Sequence, residues 1–301
     1  ALIARWDPFD KGQGHGHTLH DVALPLLWAL FSLGEWSPGI IQPILLDDHL
    51  ALPSDIWLAT LSKMPPLYKH ELASMLCPPH HWCILPRAVA GIDNRSYFAL
   101  HLHDTIRPDP DLIQLFGRVT AAFARFASNN IRLALPSKAP FEMPPISNIQ
   151  VLIVQRLHSR VLTNANEIAL TMSLKANWSA SILVLDYLTP QEQLSAFASA
   201  HLIVAVEGGA VDLLLLTDST KAVVLIGRNP LIPWPEGCSG CGPEEQFSHA
   251  NFLAATNAWL ASVKIPCCGP ISTYTPDPFV ILAAARIALE KKRRLDGAIA
   301  E

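Results

Sequence analysis

The sequence predicts an α/β protein whose C-terminal half is a doubly wound parallel sheet. Three observations carry that prediction. Apolar runs without charge recur at 151–154, 181–185, 202–206 and 222–226, which is the mark of strands buried on both faces. Between them lie helical segments: 164–177 places Ile168, Leu170, Met172 and Leu174 at helical spacing, and Thr189-Pro190-Gln191-Glu192 opens a second helix. The alternation of strand and helix implies parallel pairing, because each crossover helix returns the chain to start the next strand in the same direction.

The N-terminal half repeats the theme less regularly. Residues 2–6 read as a strand and 7–16 as a polar, glycine-bearing loop. His17, Thr18, His20 and Asp21 then crowd the first turn of a helix that runs to about residue 33. Residues 40–46 read as a strand ending in Asp47-Asp48. Neighbouring side chains at a strand end point to opposite faces, so these carboxylates are poorly placed to share an ion and read as loop entry. A short helix is expected over 54–63, and Met64-Pro65-Pro66 and Cys77-Pro78-Pro79 break the chain. Residues 109–127 form a long helix, with Leu112, Leu115, Phe116, Val119, Ala122 and Phe123 on one side and Arg118 and Arg125 solvated off that stripe.

The segment 135–145 is proline-rich and aperiodic, a natural linker. The expected division is an N-terminal domain over 1–135, a linker over 136–148, a second domain over 149–275 and a C-terminal helix over 276–301 available to brace the halves. In the second domain Thr189 can cap, Pro190 takes the first helical position, and Glu192 lies three after Thr189, as a capping box requires. Strand 202–206 is broken by Glu207-Gly208-Gly209. Residues 210–216 carry the chain away in a helix, and 222–226 return it as a strand. Beyond Arg228 the chain is irregular, with Pro230, Pro233 and Pro235. Residues 251–261 read as a helix through Phe252, Leu253 and Trp259. A last helix covers 278–295 and ends in Lys291-Lys292-Arg293-Arg294, a charge pattern suited to a helix C-terminus.

Doubly wound sheets bind ligands at the carboxyl ends of their strands. Arg156 and Arg160 follow the first strand of the second domain, Asp186 ends the next, and Glu207-Gly208-Gly209 ends the third. Glycines there let a ligand approach the backbone, a helix N-terminus offers N–H groups to an anion, and arginines add forked donors for phosphate. The group describes a nucleotide-diphosphate pocket; the plainer alternative is an α/β domain whose arginines are solvated and whose glycines turn the chain. In the first domain, His17 and Asp21 lie four apart on one helical face. They could bind a metal, act as a general base with its orienting partner, or simply cap and stabilise the helix start.

Composition narrows the classes. Of 301 residues, 50% are apolar and 16% charged, which supports a sizeable core and excludes a disordered chain. A net charge of −4 supplies no global basic field for nucleic acid. No run reaches the ~18 apolar residues of a membrane span. The chain starts without methionine and reads as a fragment, so the lack of a signal or anchor within it says nothing about location. The sequons Asn94-Arg95-Ser96 and Asn177-Trp178-Ser179 and six cysteines fit a secretory lumen. Disulfides or free thiols are the first reading of these cysteines; Cys238 and Cys241 could instead form a redox pair or half of a zinc site, which Cys267 and Cys268, with His249 nearby, could complete.

Several stretches carry a resemblance. Residues 155–167, with Arg156, Arg160, Leu162, Asn164 and Glu167 in the order R-x-x-x-R-x-(I/L)-x-N-x-x-E, resemble glycosyltransferase family 61, in particular its O-mannose N-acetylglucosaminyltransferases. Residues 191–210 resemble the family's run into a His-Gly-Ala motif. His17, Asp21, Pro25 and Leu26 match the family's N-x-x-H-x-x-x-D-x-x-x-P-L, with Gly14 in place of its asparagine. Residues 83–92 resemble its C-F-x-x-x-V-x-G segment.

The resemblance implies a GT-B architecture, two Rossmann-like doubly wound domains with an acceptor cleft between them. It implies inverting, metal-independent transfer of a sugar of the GlcNAc or pentose type from a UDP-sugar to a hydroxyl of a glycan or glycoprotein. No cofactor or metal is expected, nor any nucleic-acid partner. The expected compartment is the Golgi or endoplasmic reticulum lumen, with any membrane contact made through a segment outside this chain. Asp21 or His17 would be the catalytic base. Arg156, Arg160, Asn164, Glu167, Asp186, Glu207, Gly208 and Gly209 would bind the nucleotide sugar. Two positions depart from the family: Glu207 stands where it has histidine, and Leu225 where it has glutamate. They leave open a catalytically impaired relative that binds glycan or nucleotide.

Overall fold

The computed structural model describes residues 2–3, 26, 29–30, 34, 41–45, 62, 64–71, 149–157, 160–206, 211–216, 221–228, 259–265 and 273–299. The chain divides into two compact units, Ala1–Ala99 with Pro108–Pro136, and Leu100–Arg107 with Ser137–Glu301. Both contain parallel sheet, and the protein is α/β.

In the first unit, β1 (Leu2–Ile3), β2 (Ile44–Leu45) and β3 (Leu67–Tyr68) form a parallel sheet in that order. Leu45 is fully buried, and Leu26 and Leu30, both helical, are buried as well. Strand β2 is shorter than its apolar run promised. Residues 41–43 stay outside the ladder, although the Pro43 carbonyl still accepts from the Leu67 N–H at 2.9 Å. The short helix expected over 54–63 falls almost wholly outside the described residues. The long helix over 109–127 does so entirely.

The second unit is built on five parallel strands: β4 (Gln150–Gln155), β6 (Ser179–Val184), β7 (Leu202–Val206), β8 (Ala222–Arg228) and β9 (Trp259–Ile265). Their spatial order is β6-β4-β7-β8-β9, which in chain order within the sheet is 2-1-3-4-5. This is one of the two common doubly wound orders. Register follows the apolar runs, with Val151 opposite Leu202, Ile153 opposite Val204, and Val204 opposite Val224.

Helices α1 (Ala165–Ala176) and α3 (Pro278–Ile299) share one face of this sheet. There Val151, Ile153, Val204, Val224 and Ile226 meet Ile168 and Met172 of α1 and Ile281, Ala285 and Leu289 of α3. The alternate residues Leu152, Ile203, Ala205, Val223 and Leu225 point to the other face and are equally buried. Helix α2 (Pro190–Ser199) packs against β4 and buries Leu194 and Phe197. Burying both faces is why these strands read as unbroken apolar runs rather than alternating ones. At about 25 cal/mol per Å² of apolar surface removed from water, this double burial is the main stabilising term of the unit.

Local chemistry sets the helix ends. Helix α2 has the full capping box: Thr189 Oγ1 accepts from the Glu192 N–H at 3.3 Å, and Glu192 Oε2 accepts from the Thr189 N–H at 2.8 Å. Helix α1 ends at Asn177 in the left-handed region, φ 55, a conformation asparagine tolerates better than most residues.

Three sequence expectations are corrected. Residues 259–261 belong to strand β9, not to a helix; pairing with β8 overrides the helical spacing of the local pattern. Residues Val211–Leu216 form a 3-10 helix rather than an α-helix. The C-terminal helix is an integral layer of the second unit rather than a separate element, since its buried stripe lies on β8, β9 and α1. Two short strands carried no sequence signal: β5 (Val161–Leu162) pairs in parallel with β10 (Thr273–Tyr274). No described helix is long and apolar enough to cross a membrane.

Candidate functional site

Strand order decides where a ligand can sit. From β4 the chain crosses to β6 on one side and then returns to β7 on the other. Connections therefore leave β4 and β7 in opposite directions, and the carboxyl ends of these strands are the position where such sheets bind ligands. Arg156 directly follows β4, and the residue directly following β7 is Glu207.

Arg156, Arg160 and Asp186 come together at this edge. Arg156 is half-buried, and its pKa lies below that of a free arginine. Burial is the main cause and the neighbouring Arg160 guanidinium the next, while Asp186 acts in the opposite sense. Arg160 and Asp186 thus each lie within electrostatic reach of Arg156. Asp186 sits in the 3-10 turn Leu185–Tyr187 that leaves β6, and its Oδ2 accepts from the Leu157 N–H at 3.3 Å. That bond ties the exit of β6 to the exit of β4. Guanidinium groups are forked donors suited to phosphate oxygens.

The backbone at Arg160 is unusual. Its φ is 56, in the left-handed region, where a non-glycine residue costs roughly 1–2 kcal/mol. Observed strain of this kind clusters at ligand-binding positions. The adjoining segment holds it in place: β5 pairs with β10, the Thr163 N–H donates to the Tyr274 carbonyl at 2.9 Å, and Thr163 and Thr275 hydroxyls bond at 2.6 Å. Tyr274 is fully buried. The segment entering α3 therefore clamps the arginine loop.

Asn164 does not cap α1 with its side chain. Its Nδ2 donates to the Pro276 carbonyl at 2.7 Å, which extends the same clamp. Glu167 is exposed in the first turn of α1, where a carboxylate complements the helix dipole. His17, Asp21, Glu207, Gly208 and Gly209 lie outside the described residues, as do all six cysteines and His249. Among the described residues, no group of three or more His, Cys, Asp or Glu side chains could hold a metal ion.

Two groups at the same edge escaped the sequence reading. Gln155, the last residue of β4, buries an Oε1 that has no hydrogen-bond partner among the described residues. A buried acceptor without a donor costs about 1–3 kcal/mol. Tyr187, one residue past Asp186, is 75% exposed, and Leu157 is 40% exposed. Position alone could have flagged both, because each directly adjoins a charged residue at a strand end.

The opposite edge of the sheet carries a different cluster. His201 precedes β7 and is buried; its Nδ1 accepts from the Gln150 N–H at 2.9 Å. Lys221 precedes β8, is also buried, and donates through Nζ to the carbonyls of Ala198 at 2.6 Å and Ala200 at 2.7 Å, closing the C-terminus of α2. Burial, then Lys221 and Lys292, push the His201 pKa down to about 4. These groups lie at the wrong end of the strands to serve a ligand at the carboxyl ends and act in structure.

The chain matches no family model and no curated protein.

Proposed function

We propose that this protein is an inverting glycosyltransferase that uses a nucleotide sugar, with the donor's diphosphate held at the carboxyl edge of the second unit's sheet. The observation that carries the reading is the meeting of Arg156, Arg160 and Asp186 at the switch point of a 2-1-3-4-5 parallel sheet. The sequence resemblance to glycosyltransferase family 61 runs through the same arginines. It supplies the finer proposals: a GT-B arrangement of two Rossmann-like domains, a UDP-linked GlcNAc or pentose donor, a glycan or glycoprotein acceptor, and a secretory lumen.

In this mechanism the acceptor hydroxyl oxygen attacks the anomeric carbon from the face opposite the diphosphate. The new carbon–oxygen bond forms as the bond to the phosphate oxygen breaks. The hydroxyl proton passes to a base, Asp21 or His17, and the diphosphate departs with the electron pair. Arg156 and Arg160 stabilise the charge that grows on the leaving group, and fixed guanidinium groups do so without reorganising. Backbone N–H groups at Gly208 and Gly209 would add donors there. Asp186 would accept from a sugar hydroxyl of the nucleoside.

A second reading, a binding protein without turnover, draws on Leu225. That side chain is 1% exposed in the middle of β8, so no polar group stands where the family has a glutamate. The readings separate in one assay. With UDP-GlcNAc and UDP-pentose donors and a panel of hydroxyl acceptors, a transferase yields product of inverted anomeric configuration by NMR. UDP binding without any product selects the second reading. Absence of binding to every nucleotide sugar overturns both.

A further inference from the structure

The site contains an aromatic group that the diphosphate chemistry does not use. Tyr187 is 75% exposed, and Leu157, at the exit of β4, is 40% exposed. Both belong to the bonded pair of strand exits, for Asp186 Oδ2 accepts from the Leu157 N–H at 3.3 Å and Tyr187 is the next residue after Asp186. The 3-10 turn Leu185–Tyr187 fixes the backbone that carries the ring, closed by the Leu188 N–H to the Leu185 carbonyl at 3.0 Å. Gln193 Nε2 secures the turn from helix α2 by donating to the Leu185 and Leu188 carbonyls at 3.0 and 3.1 Å. An exposed tyrosine on a turn braced by these bonds is preorganised surface.

We infer that Tyr187, with Leu157 as the apolar residue at the β4 exit, is the stacking platform for the base of a nucleoside diphosphate. The inference rests on the donor site proposed above and deepens it by assigning the base end. The geometry of the sheet supports the assignment. Strand exits β6, β4 and β7 stand side by side, and at ~4.8 Å per strand they span about 10 Å. A nucleotide laid along that edge places its base at the β6 exit on Tyr187, its ribose at Asp186, and its phosphates at Arg156 after β4, with Arg160 in electrostatic reach of Arg156. The sequence of chemistry along the edge, aromatic, carboxylate, guanidinium, guanidinium, is the sequence a nucleoside diphosphate presents as base, hydroxyls and phosphates. Stacking on an open ring tolerates pyrimidine and purine alike, because every base has a π-face. The platform therefore predicts affinity for the base rather than choice between bases.

The test compares UDP and inorganic pyrophosphate by calorimetry against the full chain, its Tyr187→Ala variant and its Tyr187→Phe variant. Tyr187→Ala is expected to weaken UDP binding about 5- to 100-fold, the range for losing one base–aromatic stack, and to leave pyrophosphate binding unchanged. Tyr187→Phe, which keeps the ring, is expected to bind UDP like the parent. If the parent binds UDP and Tyr187→Ala binds it equally well, the platform is wrong and the donor site stands. If Tyr187→Ala loses pyrophosphate as well, the ring acts on the phosphate end and the platform is again wrong. If the parent binds neither compound, the donor site itself falls, and the platform with it.

Discussion

Arg160 concentrates the residue-scale argument, because its backbone and its side chain pull in opposite directions. The φ of 56 is unfavourable for arginine and natural for glycine. Arg160→Gly is therefore expected to hold or raise the melting temperature while weakening UDP binding about tenfold or more. A parallel loss of stability and affinity would show instead that the arginine is structural. Arg156 poses a different question, since burial and Arg160 both oppose its charge and only Asp186 favours it. Replacement by lysine keeps the charge and loses the planar fork, so Arg156→Lys should bind UDP more weakly than the parent in the same titration. The arginines and Asp186 were legible in the sequence because strand ends are readable from apolar runs. Gln155 was not: a polar residue closing an apolar run reads as a strand boundary, and only coordinates show that its Oε1 is buried without a donor among the described residues.

Elements with strong local chemistry were the readable ones. The capping box at Thr189 and Glu192 follows from three residues of sequence and appears in the structure with both reciprocal bonds. Thr189→Ala should lower stability by about 1 kcal/mol, the usual contribution of such a cap, measured by denaturant unfolding; no change would mean that packing alone holds the start of α2. Where an element owes its existence to a distant partner, the sequence was silent or misleading. Strands β5 and β10 are two residues each and pair across more than a hundred residues, so no local pattern marks them. Trp259, Leu260 and Ala261 sit at the end of a helical-looking stretch, yet they lie on β8 and extend a parallel ladder from Ala222 to Arg228. Asn164, a site residue by resemblance, ties α1 to the entry of α3 through its Nδ2. The clamp it belongs to sets the position of the arginine loop, so its influence on a ligand runs through Arg160.

On the largest scale, the second unit's sheet separates two chemistries: the proposed ligand edge at the carboxyl ends of its strands and a buried basic cluster at their amino ends. The cluster makes a prediction about acid. His201 in the folded protein has a pKa of about 4, below its ordinary value near 6.5. The unfolded chain therefore takes up a proton that the folded one refuses, and stability falls as pH drops from about 6.5 toward 4, with no further contribution below that. Discounted for screening by water, the loss is about 1–2 kcal/mol. His201→Asn keeps an acceptor for the Gln150 N–H and cannot titrate, so denaturant unfolding at pH 7 and pH 4.5 should differ less for this variant than for the parent; equal differences would remove His201 from the account. The central claim lies at the other edge, and calorimetric titration of UDP into the parent chain and into Arg156→Ala tests it most directly. The account predicts saturable binding to the parent and a loss of at least tenfold in the variant with the fold intact by circular dichroism. Equal affinity in the two proteins, or no binding to the parent, would contradict it.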